Sequence, residues 1–583
     1  MEEASPFALR SLESDMVRCI FPFVLALGIS LLAGEHSYGQ PSTDGNWFLA
    51  DVHTPRNIKP ASPKKKIVIA VVDDGVRITH QDLKEFIWTN PKEIPDNAVD
   101  DDGNGYADDI HGWDVADNRN VITPPRERSK DFYHGTHLAG IIAQIARSAY
   151  GDAAPDFVKI MPVKSLSNRA AKTYLKHGYK GIEYATKAGA DIILCAWGVG
   201  HVTPEESRIL EEAQKKGILV VASAGSFPEE REQFPAAHPS VLAVGALDQN
   251  HQKVRNSNYG PFLGLSAPGT NIVSASVVSD SDHEAREGTS PASAIAAAAA
   301  AVVKLQHPSY SMEKVKACMK SSADSLDVTD LQFSAKLGAG KLNIEAAVEC
   351  PLFNQETSKE NRLPNPQGYL HYSSPRKKPV SWTITPQGTF KGLWFNLLSL
   401  QGKPGQGIIN FHSGDSSEAR RIGSYTLATL PKSIFVPGTA AFVTFEPKKS
   451  DPGLNWLIEY RAEPINFSKL YCRDTAHLDE EGTFEDGSGL HDYSPGTDCK
   501  WLITAPKGKV IHFKFTRFDT EAKVDLLYFF NGAGTHEKIM AVFSGPTLPP
   551  ELTTWSNQVL VWFVTDGKNQ GKGWKAEFRF VTP

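Results

Sequence analysis

Apolar residues change their spacing twice along this chain, and each change marks a different kind of structure. Ile67–Val72 is an unbroken apolar run, mostly β-branched, that ends at Asp73-Asp74-Gly75. A run of that length bounded by turn residues predicts a strand buried on both faces, as in a parallel sheet. Asp191–Cys195, Ile218–Ala222 and Val241–Val244 repeat the pattern. Between and around them, Ala171–Ala188 and Pro204–Lys216 carry helical spacing. Pro291 followed by Ala292–Ala301 predicts a helix that begins near Ser290. Strand and helix in alternation predict an α/β fold with a doubly wound parallel sheet.

Beyond Cys350 the helical period disappears. Short alternating segments separated by turn residues predict two all-β sandwich domains, at 368–465 and 466–583. They follow an α/β domain at 40–352 and a polar, proline-bearing linker at 353–367. Ile422–Pro431, Ala441–Phe445 and Leu454–Tyr460 track the last strands of the final domain, so the first sandwich reads as a degenerate repeat of the second. A jelly roll unrelated to it is the alternative.

Near the start, Ile20–Ala33 is apolar but short for a membrane span. Residues 1–15 are acidic, whereas Met16-Val17-Arg18 before the run and small residues at Ser37–Gly39 after it form a secretory signal pattern. The expectation is a signal peptide over 1–39 with Met16 as an alternative start, and a mature chain that is secreted, cell-surface or periplasmic. No later segment is expected to span a membrane.

Composition adds limits. A chain of 583 residues exceeds one core, and a net charge of −6 over that length argues against a nucleic-acid partner. Of six cysteines, Cys19 would leave with the signal and Cys195 sits in an apolar strand as a buried thiol. Cys472 with Cys499, and Cys318 with Cys350, are the expected disulfides, with connectivity left open by sequence alone.

The chemistry lies in three glycine-marked junctions: Val71–Gly75, His134–Gly140 and Gly288–Ala292. They present an acid, a base and a nucleophile in the order Asp73, His134, Ser290. A serine hydroxyl needs a base to take its proton, and a carboxylate on the other imidazole nitrogen fixes the tautomer. Ser290 just before Pro291 places its own N–H at a helix N-terminus, facing a developing oxyanion. On these residues, and on Ser257–Gly260, Ala267–Thr270 and Gly338–Asn343, the chain resembles a subtilisin-like serine peptidase. The resemblance implies acyl-enzyme hydrolysis of a protein or peptide substrate, oriented by Asp73, with His134 as base and Ser290 as nucleophile. It implies that Trp197, Gly198, Val199 and Gly200 pair with an extended substrate, and no organic cofactor. Trp47–Asp51 resembles the mature amino-terminal segment, which leaves no room for an inhibitory propeptide after Gln40.

One position departs from the family. Where its members carry an asparagine that donates to the oxyanion, this chain has Ser226. Three readings of the serine stay open: a direct donor, a donor replaced by a water or another residue, or the mark of lost activity. Two functions follow: an exported serine endopeptidase, or a weak or inactive pseudopeptidase acting as an extracellular binding or scaffold protein.

Two calcium sites are candidates. Asp100, Asp102, Asn104 and Asp108 place oxygen ligands around a glycine-rich loop, though His111 at the twelfth position excludes an ordinary EF-hand and a solvated loop is the alternative. Residues 472–580 resemble a CUB domain through Trp501–Ile503, Ile511–Glu521, Phe543–Gly545, Val561–Asp566 and Gly571–Phe578. That resemblance implies calcium at Glu521, Asp525 and Asp566, and an extracellular protein partner captured there. Gly402 and Pro447 stand near the corresponding positions of the first sandwich, where no metal is expected.

Overall fold

The computed structural model describes residues 46–583 except 63, 171–174, 327–332, 355–360, 374–378, 389, 402–406, 448–452, 465–474, 487–492, 494–496 and 567–570. The signal peptide with Met16 and Cys19, the Gly402 position and Cys472 lie outside the described residues.

The first apolar run forms β1 (Ile67–Asp73), the third strand of a seven-stranded sheet. Its partners are β2 (Trp113–Asp114), β3 (Val158–Lys164), β4 (Ile192–Cys195), β5 (Leu219–Ser223), β6 (Leu242–Leu247) and β7 (Leu265–Pro268), in the order β2-β3-β1-β4-β5-β6-β7. All neighbours run parallel. A hairpin of β8 (Ile272–Ala275) and β9 (His283–Arg286) follows. The α-helices among the described residues are α1 (Trp47–Asp51), α2 (His134–Tyr150), α3 (Ala154–Phe157), α4 (Gly178–Lys187), α5 (Pro204–Lys215), α6 (Thr289–Gln306), α7 (Met312–Ser321), α8 (Ile344–Glu349) and α9 (Pro351–Asn354).

The alternation of a strand's side chains explains why both faces need cover. Ile67, Ile69 and Val71 join one core with Leu138 of α2 and the alanines of α6; Ala70 and Val72 join another with Tyr179 and Ile182 of α4 and Leu210 of α5. Alanine suits α6 because Ala292–Ala301 is buried along its whole length, and small side chains let a helix lie close to the sheet. Of the stretch from Ala171 expected to be helical, α4 covers Gly178–Lys187, and α5 starts on a complete capping box from Thr203 and Glu206. Cys318 and Cys350 form a disulfide between α7 and the end of α8, and Cys195 is a buried free thiol.

The two β regions share one plan. The first pairs a five-stranded sheet (361–363, 380–384, 441–447, 407–413, 420–426) with a four-stranded one (367–373, 455–464, 390–401, 433–437). The second repeats that order with strands 476–478, 498–504, 558–564, 526–530, 539–543 and 482–485, 573–581, 510–519, 552–553. Even the pairing senses agree, since each five-stranded sheet starts with a parallel pair. Cys499, in the second sandwich, is disulfide-bonded.

Residues 361–367 do not act as a free spacer, which corrects the expectation of a linker for that part of 353–367; residues 355–360 lie outside the described residues. Asn361–Leu363 is a sheet strand, Asn365 Nδ2 donates to the Ala323 carbonyl at 2.8 Å, and Gln367 Nε2 to that of Leu263 at 3.0 Å. The first sandwich is thus docked on the α/β domain, and a buried pair, Lys320 Nζ to Glu459 Oε1 at 2.6 Å, seals the contact. Polar side chains in a chain segment usually mean solvent; here they satisfy backbone groups that the docking buries.

Candidate active site

β1 delivers Asp73 to the carboxyl end of the sheet, where open α/β folds place their ligand sites. Asp73 is 1% exposed and both of its oxygens lie 2.9 Å from His134 Nδ1, the first residue of α2. Burial opposes the imidazolium, but the Asp73 carboxylate, with a smaller pull from Asp74, holds the His134 pKa above the ordinary range. Arg286 works against it from its place over the Tyr133 ring, 3.6 Å from the centroid.

Asp74 takes a role that sequence reasoning missed. Its carboxylate accepts from the His134 and Gly135 N–H groups, both at 2.8 Å, and so caps α2 from outside the helix. Burial, and then the charge of neighbouring Asp73, push its pKa up to about 7. Gly135 permits the approach: a Cβ there would stand 2.4 Å from the Gly75 carbonyl oxygen. The acidic residue after Asp73 is visible in the sequence, but its amide partners lie sixty residues on.

Ser290 lies in the first turn of α6, where its N–H has no carbonyl partner within the helix. Its Oγ donates to the Ala196 carbonyl at 3.2 Å, and among the described residues no hydrogen bond joins it to His134. Thr289 Oγ1 donates to the Gly225 carbonyl at 3.1 Å and accepts from the Gly225 N–H at 3.3 Å. That clamp sets Ser226 beside the Ser290 turn: its Oγ would lie 3.8 Å from a Cβ on Gly288. Gly225 has φ +112°, and a Cβ there would meet Asn258 Nδ2 at 2.7 Å.

A cleft of about 270 Å³ opens beside these groups, lined in part by Asp74, His134, Ala196, Trp197 and Gly198. Trp197 lines it although its side chain is largely buried, with Nε1 donating to the Val72 carbonyl at 3.0 Å. Val199 exchanges both backbone hydrogen bonds with Phe234, each at 2.8 Å, so neither group is left for a substrate. This corrects the sequence expectation for Val199; Gly200 also lies outside the cleft lining.

The acidic loop gathers a different set from the expected one. Carboxylate oxygens of Glu93, Asp100 and Asp102 lie within 4.8 Å of one another. Asp108 instead caps the Asn97 and Ala98 amides at 3.2 and 2.8 Å, and Asn104 Oδ1 accepts from the Tyr106 N–H at 2.9 Å. Glu93 was missed because it precedes the acidic run by seven residues. In the second sandwich Glu521, Asp525 and Asp566 do converge within 4.8 Å. Asp525 is fully buried, and burial together with the charges of Asp566 and Glu521 raises its pKa. Tyr493, not anticipated, donates its hydroxyl to Asp525. Three hard oxygen donors with a buried carboxylate among them suit a calcium ion.

The family model described as the subtilase family matches residues 64–369, and that of the CUB domain matches 472–578. The chain is similar to the halolysin-like extracellular serine protease Nep of Natrialba magadii, at 27% identity over 58% of this chain and 63% of that protein. It is also similar to subtilisin BL of Lederbergia lenta, at 30% identity over 52% of this chain and 97% of the relative. Among solved structures, the prenylagaramide maturation protease PagA matches at 25% identity with a TM-score of 0.37, over 50% of this chain and 94% of that one. Among the described residues no helix is long and apolar enough to cross a membrane.

Proposed function

Because the chain belongs to the subtilase family and carries a CUB domain behind the peptidase fold, we propose that it is an exported serine endopeptidase. The observation that carries the reading is the Asp73–His134 pair at 2.9 Å with Ser290 in the first turn of α6. Ser290 Oγ turns from the Ala196 carbonyl to attack the scissile carbonyl carbon, and His134 Nε2 takes its proton. The oxyanion of the tetrahedral intermediate faces the Ser290 N–H. His134 then protonates the leaving amine, an acyl-enzyme remains, and water releases the acid by the reverse proton path. Asp73 keeps the imidazole in the donating tautomer at Nδ1 and stabilises its cation. Apo sites commonly show a loose nucleophile–base contact that tightens with substrate.

Ser226 takes the family's asparagine position. Loss of the amide donor in subtilisin costs about 10²–10³-fold in kcat, so the chain is a slower enzyme whose second donor is the Ser226 hydroxyl, on the residue next to the Gly225 that Thr289 clamps. The same substitution favours a second reading, a pseudopeptidase retained as a binding protein. Calcium in the CUB domain would be held by Glu521, Asp525 and Asp566 and would give a partner's basic side chain an anchoring acidic rim. Export is supported by the signal pattern and by the extracellular relative. Labelling with a fluorophosphonate probe tests the proposal: wild type is labelled and Ser290→Ala is not. A folded wild type that stays unlabelled, with and without calcium, overturns it in favour of the pseudopeptidase.

A further inference from the structure

Away from the cleft, the loop after β1 meets the strand that leads to Ser290 at a second group of reactive side chains. His80 and Asp82 belong to that loop, and His283 opens β9. His80 is fully buried, its Nε2 lies 3.0 Å from the Asp282 carbonyl, and its Nδ1 accepts a long bond from the Asp82 N–H at 3.2 Å. Asp82 Oδ2 stands 3.9 Å from His80 Nδ1 and 2.6 Å from His283 Nε2. The two imidazoles meet edge to face with centroids 5.5 Å apart.

The frame around them is fixed. Arg77 Nε and Thr79 Oγ1 both donate to Asp280 Oδ1, at 2.6 and 2.5 Å, and the Gln81 N–H donates to the Asp280 carbonyl at 2.7 Å. Both sides of the group are therefore held in register before any ligand arrives. Asp82 and His283 remain 35% and 38% exposed and border a cavity of about 380 Å³, which gives an ion a way in.

We propose that His80, Asp82 and His283 form a binding site for a divalent transition cation of the zinc class. One nitrogen from each histidine and one carboxylate oxygen lie within 4.8 Å of one another. Metal–ligand bonds of about 2.0–2.1 Å in a tetrahedron put donors roughly 3.3 Å apart. The 2.6 and 3.9 Å separations from Asp82 straddle that value and the two imidazole nitrogens lie within 4.8 Å of each other, so the set closes by adjustment of the two exposed side chains, Asp82 and His283. Two imidazoles and one carboxylate suit zinc, nickel or copper and not calcium, which takes six to eight oxygens. Binding at His80 Nδ1 exchanges the long Asp82 amide bond for the metal, and the Nε2–H to Asp282 carbonyl contact fixes the tautomer, as partners of metal-bound histidines do. Water takes the fourth position.

No step of peptide hydrolysis uses this cation, and the inference stands independently of the peptidase reading. Its effect is to tie the loop after Asp73-Asp74 to the strand entering the Ser290 turn. The test is metal titration of chelator-stripped full-length protein, with Zn²⁺ followed by calorimetry and Co²⁺ by visible absorption. Wild type is expected to bind one equivalent, to show tetrahedral Co²⁺ absorption and to melt at a higher temperature with Zn²⁺. Asp82→Asn and His283→Gln, checked for a wild-type circular dichroism spectrum, each weaken binding by at least about tenfold and lose the Co²⁺ band. His80 is left in place because its burial makes it a poor test of binding alone. Failure of wild type to bind Zn²⁺, or binding undiminished in both variants, overturns the proposal.

Discussion

Replacing Asp74 by asparagine should change how stability depends on pH more than it changes stability itself. The carboxyl is buried against Asp73, and its pKa stands at about 7 in the folded chain, against about 3.9 unfolded. The folded state therefore holds a proton that the unfolded state has released. Its contribution to stability is fully present below about pH 3.9, declines as the pH rises, and is gone above about pH 7. At 1.36 kcal/mol per unit, the three-unit gap is worth on the order of 4 kcal/mol, of which about 3 kcal/mol falls between pH 5 and pH 9. Asparagine does not titrate, so that loss disappears. It has one acceptor oxygen for the two N–H groups of His134 and Gly135, which costs about 1–3 kcal/mol with no dependence on pH. The assay is differential scanning calorimetry of Asp74→Asn and its parent at pH 5 and pH 9, both carrying Ser290→Ala so that neither digests itself. For an α/β domain of this size, 3 kcal/mol corresponds to roughly 5 °C. The variant should gain about that much in melting temperature relative to its parent on going from pH 5 to pH 9. An equal difference between variant and parent at the two pH values would refute the reasoning.

Three further outcomes are expected. In Ser226→Asn, the restored amide should raise kcat, by up to about 10²-fold, with little change in KM; kinetics on a peptide substrate decide it. Lys320→Ala should leave Glu459 with only the weaker pull of Arg461 and Lys316 at the docking surface, costing about 1–3 kcal/mol, and should make 361–367 more sensitive to limited proteolysis than in the parent. Asp525→Asn should abolish calcium-dependent protection of the second sandwich, read as the loss of a calcium-induced shift in its unfolding.

Strands and helices of the α/β domain were legible because their signal is local. Ile67–Val72 and Ala292–Ala301 announce themselves by composition and period, and Asp73, His134 and Ser290 stand at glycine-marked ends of such elements. What escaped depends on partners distant in the chain. Asp74 gains its meaning from two amides on another element, Glu93 from a loop that folds back over it, and His283 from a loop two hundred residues earlier. The polar segment 361–367 misled for a related reason: hydrogen-bonding side chains serve solvent or a buried backbone equally well, and only the packing distinguishes them. Val199 reads as an open edge until Phe234 is seen beside it.

The identical strand order of the two sandwiches separates what a scaffold must keep from what it is free to lose. Both copies retain the inward-facing aromatic and aliphatic residues that close the two sheets, because neither could stand without them. They differ in what their outer surfaces do. One copy spends a strand, Asn455–Pro464, on Glu459 and Arg461, which grip the α/β domain through Lys320 and the Pro261 carbonyl. The other gathers acidic side chains at its loop ends. The same blueprint thus supplies a foundation in one case and a working tool in the other, and changes that improve the tool need not disturb the foundation.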